Sequence, residues 1–245
     1  MGELRRLLIA PERLDPQQSA GHLIDLTSDE AHYLKRVLRR RVGDALGVTD
    51  GCGRLWQAHL RSGNTLELSS DRTAFEPRPN PRLGLALALT RRGFDEVTRM
   101  ACELGIDAIQ PLSCARCTPQ AEHRPERWST IIRESVEQCE RLWMPRLDPL
   151  SPINTWSKTT ASVAVGVTRD ADTPPLRQWL EPLQASEAWV VVGPEGGWDE
   201  EEMELFARRG WQSVQLGASI LRSSTAAVRA AVELVQWREQ SVLNG

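Results

Sequence analysis

Two short stretches near the C-terminus combine residue types that form ligand-binding turns. In the first, the apolar run Trp189–Val192 leads into Gly-Pro-Glu-Gly-Gly. In the second, Val214–Gly217 leads into Ala-Ser-Ile-Leu-Arg-Ser-Ser-Thr. Each pattern predicts a strand, a small-residue turn and a helix. Glycine in such a turn lets a ligand approach backbone N–H and C=O groups closely. The two turns are therefore predicted to form two walls of one pocket.

The residues around these turns limit the ligand that the pocket is expected to take. Neither a P-loop nor a G-x-G-x-x-G motif is present. The helix after the first turn opens with four acids, Asp199–Glu202, which complement a helix dipole and repel polyphosphate. A cationic or zwitterionic ligand suits such a mouth better than ATP. Arg222 stands where a helix dipole disfavours a cation, and this favours a functional partner for it, with an ordinary surface arginine as the alternative.

Composition excludes several classes of protein. The 245 residues are 40% hydrophobic and 26% charged, with a net charge of −3, which is ordinary for a globular protein and argues against nucleic-acid binding through bulk charge. No apolar run approaches membrane-spanning length and the N-terminus makes a poor signal peptide, so a cytoplasmic location is expected. Five cysteines argue against a disulfide framework, and Cys114-Ala-Arg-Cys117 is only half of a zinc site. No metal is expected.

The predicted elements divide the chain at a proline-rich segment. In residues 1–76 the sequence predicts one helix, Thr27–Arg39, followed by three short strands, which suggests a compact sheet or small barrel. Glu76–Pro81 has three prolines at alternate positions, which neither a helix nor a central strand tolerates, and is the predicted linker. Strands and helices alternate through residues 82–245, which predicts an α/β domain with a parallel sheet covered by helices. Among the predicted elements are a helix at Phe94–Leu104, which Gly105 stops, and a strand at Ser162–Val167.

A basic run lies inside the first of these regions. Lys35–Arg41 holds five cations in seven residues and no acid. RNA contact and an ordinary solvated face are equally good interpretations of this run. Trp198, directly after the glycine turn, is a candidate for stacking on a base or ligand.

The two turns together resemble the paired cofactor motifs of the RsmE family, the bacterial 16S ribosomal RNA uracil-N3 methyltransferases of the SPOUT class. The motif residues are Val192–Gly197 and Leu216-Gly-x-x-Ile-Leu-Arg-x-x-Thr-Ala226. Other segments that are similar to the family lie within residues 32–51, 103–117 and 137–145. The resemblance thus extends through most of the chain.

The resemblance implies a fold, a cofactor and partners. It implies a PUA-like β-barrel domain that binds RNA in residues 1–76 and a SPOUT methyltransferase domain in residues 82–245, with a trefoil knot in about residues 160–235. It further implies S-adenosyl-L-methionine (S-adenosylmethionine) as cofactor, 16S ribosomal RNA or the small ribosomal subunit as substrate, and a homodimer. The cofactor carries a sulfonium cation and no phosphate, which suits the acidic mouth predicted above.

The chemistry of methyl transfer, taken with the resemblance, gives roles to individual residues. Transfer is an in-line displacement at a sulfonium carbon, and uracil N3 must lose its proton to attack. Arg222 is the predicted catalytic cation that favours the uracil anion, and Glu195 is the nearest candidate base, cofactor contact or loop brace. The predicted cofactor contacts are Val192, Gly193, Pro194, Glu195, Gly196, Leu216, Gly217, Ile220, Leu221 and Thr225. The predicted phosphate contacts are Arg36, Arg39, Arg40 and Arg141.

Some positions depart from the family's pattern. Ser224 stands where the family has glutamate, Ala218-Ser219 replaces a Pro-Arg pair, and Arg91–Asp95 lacks the lysine that usually follows its glycine. Two alternatives stay open on the same scaffold. One is a non-catalytic RNA-binding or ribosome-assembly protein, and the other is a methyltransferase for another RNA base.

Overall fold

The computed structural model describes residues 5–14, 19–168 and 172–243. The chain forms two compact units. The first consists of Met1–Arg78 and Arg133–Met144, and the second of Pro79–Ile132 and Pro145–Gly245. The division after Arg78 falls inside the proline-rich segment. Residues 133–144 belong to the first unit although they lie far along the sequence.

The first unit is built on a six-stranded mixed sheet. Its strands are β1 (Arg6–Leu8), β2 (Leu23–Asp25), β3 (Ala45–Thr49), β4 (Arg54–Arg61), β5 (Thr65–Leu68) and β6 (Ala74–Phe75). The order is β1-β3-β4-β5-β2 with β6 beside β4, and only β1 and β3 run parallel. Alternate residues of β4, namely Trp56, Ala58 and Leu60, are fully buried in the core. This is the period of a strand with one face buried.

The helix predicted at Thr27–Arg39 is not one regular α-helix. The α-helix α1 (Ser28–His32) begins at a capping box, in which Thr27 Oγ1 accepts from the Glu30 N–H and the Glu30 carboxylate accepts from the Thr27 N–H. The chain then widens into a π-helical turn at Tyr33–Val37, and Arg39 has a left-handed φ of 53°. The prediction of a helix start is confirmed, whereas the prediction of a regular helix up to Arg39 is wrong. The basic residues of this segment give no indication in the sequence that the chain forms a π-helical turn here.

Buried polar contacts explain why residues 133–144 belong to the first unit. The Glu137 carboxylate accepts from the Leu8 N–H at 2.9 Å, and the Arg133 guanidinium donates to the Leu8 carbonyl at 2.7 Å. Burial raises the pKa of Glu137 to about 7. These bonds satisfy both backbone groups of Leu8, at the end of β1.

The second unit is built on a seven-stranded sheet in which every pair is parallel. Its elements are β7 (Arg82–Ala88), α2 (Phe94–Leu104), β8 (Ala108–Ser113), α3 (Pro125–Cys139, whose residues from 133 belong to the first unit), β9 (Arg146–Leu147), β10 (Ser151–Pro152), β11 (Ser162–Val167), α4 (Leu176–Leu180), β12 (Glu187–Val192), α5 (Glu200–Arg208), β13 (Gln212–Gln215) and α6 (Ser223–Leu243). The order is β10-β8-β7-β12-β11-β13, with β9 beside β8. The prediction of a parallel sheet with alternating helices is confirmed.

Strand order decides which turns meet in this unit. β11 lies between β12 and β13, and because all three run parallel their carboxyl ends lie at one edge. Ligands of open parallel sheets bind at such an edge. None of the helices in the described ranges combines the length and apolar character of a membrane-spanning segment.

A glycine opposite a tryptophan fixes the spacing at the centre of this sheet. Gly84 on β7 pairs directly with Trp189 on β12, and a Cβ at position 84 would lie 2.1 Å from the indole ring. Trp189 is fully buried, and Trp156 packs edge-on against it at 5.5 Å. Burial and the contact with Trp156 therefore restrict how far the ring can move.

We expect Gly84→Ala to lower the free energy of unfolding by about 3 kcal/mol, the upper part of the usual range for an overpacked core. Urea denaturation would measure the loss. Gly47→Ala is the matched control, since the nearest atoms to its Cβ would be side-chain atoms of Arg6 and Leu55 at 3.3 Å, and the nearest backbone atom would be 3.9 Å away. Equal losses in the two variants would contradict the assignment of Gly84 as the tighter position.

Candidate functional site

The carboxyl ends of β11, β12 and β13 open into a cavity of about 650 Å³, called here the strand-end cavity. Three of its walls are the residues at and after these strand ends, within 166–168, 192–198 and 215–221. Met203 of α5 and Ser223 and Ala226 of α6 complete the lining. The volume lies in the range of pockets that hold a nucleoside-sized ligand.

The first predicted turn is held by a backbone bond and a tryptophan. The Gly197 N–H donates to the Pro194 carbonyl at 3.0 Å, and Gly197 has a φ of 71°. The Trp198 indole N–H donates to the Gly166 carbonyl at 2.9 Å, and its ring packs edge-on against Phe206 at 4.9 Å. Trp198 is thus a fixed wall of the strand-end cavity, with its polar atom already bonded inside the protein.

The four acids after this turn do not form the mouth that the sequence predicted. Asp199 caps α5 by accepting from the Glu202 N–H at 2.8 Å, and Glu202 accepts from the Asp199 N–H at 3.1 Å. The other oxygen of buried Glu202 accepts from the Ala115 N–H at 2.8 Å. Among the described residues, no Asp or Glu lines the strand-end cavity. The expectation of an acidic mouth is therefore wrong, because these acids complete the helix start.

The second predicted turn is a more exposed wall. Leu216 is buried at the end of β13, whereas Gly217–Ile220 are exposed and the Ile220 side chain is 63% accessible. The chain then enters α6, where the Arg222 carbonyl accepts from the Ala226 N–H at 2.9 Å. This turn therefore presents both backbone groups and apolar side chains to the cavity.

Most of the predicted cofactor contacts lie together around the strand-end cavity. Those that line it are Val192, Gly193, Pro194, Leu216, Gly217, Ile220 and Leu221. Glu195, Gly196 and Thr225 do not line it. The sequence analysis did not select Gly166–Thr168, which reach the cavity only because β11 lies between β12 and β13. No local signal in the sequence gives that strand order.

The two residues predicted as catalytic lie around a second cavity of about 510 Å³, called here the arginine cavity. Its lining consists of Arg91, Arg92, Gly93, Glu195, Arg222, Ser223 and Ser224. Ser223 also lines the strand-end cavity, so the two cavities are neighbours. Gly93 faces Ser224, since a Cβ at position 93 would lie 3.1 Å from the Ser224 Cβ. Ser224, which departs from the family's pattern, therefore lies against the segment that lacks the family's lysine.

The predicted phosphate contacts belong to the first unit. Arg36 and Arg39 are exposed, and Arg40 and Arg141 are partly buried. No ion pair joins Arg36, Arg39 or Arg40 to any residue for which the structure gives a position. The charges of the exposed Arg36 and Arg39 are thus left to solvent or to a partner, as both interpretations of the basic run require.

The Cys114–Cys117 pair lies beside the first turn. The Cys117 sulfur accepts from the Cys114 N–H at 3.3 Å, and Arg116 donates to the Gly196 carbonyl at 3.3 Å. A hydrogen bond from the Cys114 thiol lowers the pKa of Cys117 to about 7. The same hydrogen bond, together with burial, raises the pKa of Cys114. Cys117 is therefore the thiol of this pair that ionises first.

Alkylation by iodoacetamide should reflect this order, since the thiolate is the nucleophile. The rate at Cys117 should increase with pH and reach half its plateau near pH 7, while Cys114 stays unlabelled over the same range. Peptide mass spectrometry would follow both sites. Cys52, whose pKa burial raises, is the internal control. Faster labelling of Cys114 than of Cys117 would contradict the assignment.

Comparison with known proteins identifies relatives over most of the chain. A family described as "RNA methyltransferase domain" matches residues 77–236, and one described as "RNA methyltransferase PUA domain" matches residues 26–69. A ribosomal RNA small subunit methyltransferase E from Synechocystis sp. is 34% identical over 241 residues, which cover 94% of this chain and 76% of the relative.

Solved structures agree with these relatives. The ribosomal RNA small subunit methyltransferase E of Neisseria gonorrhoeae, bound to S-adenosyl methionine, has a TM-score of 0.75 and 26% identity, and the match covers 94% of this chain and 95% of that one. A putative methyltransferase from Legionella pneumophila, in complex with its cofactor, has a TM-score of 0.81 at 24% identity over 95% and 97% of the two chains, and shares the fold.

An all-parallel sheet with a glycine-rich cavity at its strand ends, on a chain that also carries a PUA-like β domain, defines an RNA methyltransferase of the SPOUT class. The chain belongs to the RsmE family of ribosomal RNA small subunit methyltransferases. The predicted family is confirmed, and so is the predicted fold class of a PUA-like β domain with a parallel SPOUT-type sheet.

Proposed function

We propose that this protein transfers the methyl group of S-adenosylmethionine to N3 of a uridine in the 16S ribosomal RNA of the small subunit. The strand-end cavity carries the proposal. Glycine-rich turns line it, and within the described residues it has no Lys or Arg side chain that would bind a phosphate. Such a lining suits a nucleoside cofactor without phosphates. The cofactor named for the Neisseria gonorrhoeae relative is of this kind.

The residues proposed to hold the cofactor are those of the two turns. Backbone N–H and C=O groups of Val192–Pro194 and Leu216–Gly217 are proposed to bind its polar groups, with Ile220 and Leu221 against its apolar surface. Glu195, Gly196 and Thr225, which do not line this cavity, stay predictions for the same role. When bound, the cofactor supplies an electrophilic methyl group.

The arginine cavity is the proposed place of the target uracil. Arg222 would favour the anion that forms when uracil N3 loses its proton, because a nearby cation stabilises a developing negative charge. Glu195 lines the same cavity and is the candidate base. Ser223 lines both cavities, so a base in one would be next to a methyl donor in the other.

The organisation of the chain completes the proposal. Residues 1–76 would form the RNA-binding domain, with Arg36, Arg39 and Arg40 as phosphate contacts, together with Arg141 from the segment Arg133–Met144 of the same compact unit. Residues 82–245 would form the methyltransferase domain, with a trefoil knot in about residues 160–235. A homodimer acting in the cytoplasm is part of the same proposal, and light scattering on the purified protein would test the dimer.

Methyl transfer is the direct test of this function. The purified protein would receive labelled S-adenosylmethionine and small ribosomal subunits from cells that lack the modification, and mass spectrometry would map the label. We expect label at N3 of one uridine. Label on another base would replace the proposed substrate. Absence of both label and cofactor binding would favour a non-catalytic RNA-binding protein.

A further inference from the structure

Three arginines without acidic partners line the arginine cavity. Arg91, Arg92 and Arg222 all have exposed side chains. None of the three guanidinium groups forms an ion pair or a hydrogen bond with any residue in the described parts of the chain. Glu195 is the one carboxylate among the described lining residues, so three positive charges face one negative charge.

This arrangement is unusual for the unit that contains it. Most of its arginines bind carboxylates within the unit, for example Arg82 with Glu187, Arg99 with Glu103 and Arg238 with Asp107. Cations that converge on one cavity repel each other and raise its potential, which attracts an anionic ligand. The strand-end cavity has no such charge among its described lining residues. Of these two cavities, the arginine cavity is therefore the one whose lining attracts an anion, although Arg91 and Arg92 also border a further cavity that acidic side chains line.

The loop that carries Arg91 and Arg92 is held in place by buried contacts. The hydroxyl of Thr90, which is 3% exposed, donates to the Arg92 carbonyl at 3.0 Å. After the loop, Phe94 stacks on Trp128 with ring centroids 4.1 Å apart. The two guanidinium groups thus extend from a backbone that is already fixed, and less freedom is lost when they bind a ligand.

We infer that Arg91 and Arg92 bind a phosphodiester of the RNA that adjoins the target nucleotide. The inference rests on the proposed function, since it takes the uracil to lie beside Arg222. Arginine forks match the paired oxygens of a phosphate and hold them by charge-assisted hydrogen bonds. Arg91 and Arg92 are therefore substrate-positioning residues that hold the strand while Arg222 faces the base.

The test is the double variant Arg91→Ala/Arg92→Ala in the full-length protein. We expect KM for the small ribosomal subunit to rise by about 10-fold or more, as for loss of one or two charge-assisted hydrogen bonds. Both kcat and the Kd for S-adenosylmethionine should stay within about 3-fold, because neither residue lines the strand-end cavity. The slope of log affinity against log salt for single-stranded RNA should become shallower by about 0.7, the value for one phosphate contact.

Two further variants separate this role from bulk charge. Arg177→Ala/Arg208→Ala removes two exposed arginines that pair with Glu181 and Glu204 and do not line the arginine cavity. It should leave KM and the salt slope unchanged. Arg91→Lys/Arg92→Lys keeps the charge without the forks and should give an intermediate KM.

The outcomes distinguish the inference from the proposed function. If the wild-type protein methylates and the alanine pair keeps its KM and salt slope, the inference is overturned and the function stands. If the wild-type protein transfers no methyl group, the function fails and fluorescence anisotropy with single-stranded RNA still tests the arginines. Weaker RNA binding by Arg91→Ala/Arg92→Ala than by Arg177→Ala/Arg208→Ala would then support the phosphate site, and equal binding would overturn it.

Discussion

Arg222→Ala is expected to lower kcat for methyl transfer by about 10²- to 10³-fold, the usual cost of removing one group that stabilises a developing charge. The Kd for S-adenosylmethionine should change by less than about 3-fold, since Arg222 lines the arginine cavity and not the strand-end cavity. Its backbone carbonyl, which begins the hydrogen bonding of α6, is unaffected by the substitution. Single-turnover kinetics and titration calorimetry would measure the two quantities separately.

The pH dependence of the Arg222→Ala variant adds a readout that a structural role would not change. If Arg222 favours the uracil anion, the deficit of the variant should shrink as pH rises, because N3 then ionises without help. Arg222→Lys should recover part of the rate, and Arg208→Ala, an exposed arginine on α5, should have none of these effects. Equal loss of turnover and of cofactor binding would disprove the catalytic assignment.

Gly193→Val is expected to weaken S-adenosylmethionine binding by about 100-fold, which corresponds to an overpacking cost of nearly 3 kcal/mol. A Cβ at position 193 would lie 2.9 Å from the Trp198 ring. The hydrogen bond to the Gly166 carbonyl and the contact with Phe206 hold this ring on its other sides. The added side chain must therefore displace the ring or the turn, and both line the strand-end cavity.

Calorimetry would measure the binding, and a thermal melt would show whether the Gly193→Val variant is folded. Gly193→Ala is the milder variant if valine prevents folding, and it should give a smaller loss in the same direction. Gly210→Ala is a control for strain at a glycine away from the cavity: its φ of 69° strains an alanine although no atom lies within 4 Å of its Cβ, and cofactor binding should stay unchanged. Unchanged cofactor binding in both Gly193 variants would show that the cavity does not hold the cofactor.

Local signals in the sequence were reliable where they were strong. The predicted α2, Phe94–Leu104, has the bounds that the structure shows, because Gly105 stops it with a φ of 113°. The predicted β11, Ser162–Val167, is also confirmed. When a run of apolar residues ends at a glycine or a charged residue, the end of the helix or strand can be placed to within a few residues. Such signals depend only on neighbours in the chain.

Weak or misleading local signals account for the differences between the predicted and the observed structure. β1, β2, β6, β9 and β10 are each two or three residues long, too short to show a period, and the sequence analysis did not predict them. The acids of Asp199–Glu202 had two possible uses, dipole complement and cavity mouth. Long-range packing favours the dipole complement, because the Ala115 N–H donates a hydrogen bond to one oxygen of Glu202.

By itself, the sequence determined the family, the α/β class of the second unit and the two turns that line the strand-end cavity. Those features follow from short motifs and from periodicity, which nearby residues encode. Only the tertiary structure decided that β11 lies between β12 and β13, which adds Gly166–Thr168 to the cavity. It also brought Arg91 and Arg92 to Arg222, about 130 positions later in the chain. Strand order depends on the burial of whole faces of the sheet, and no local pattern carries that information.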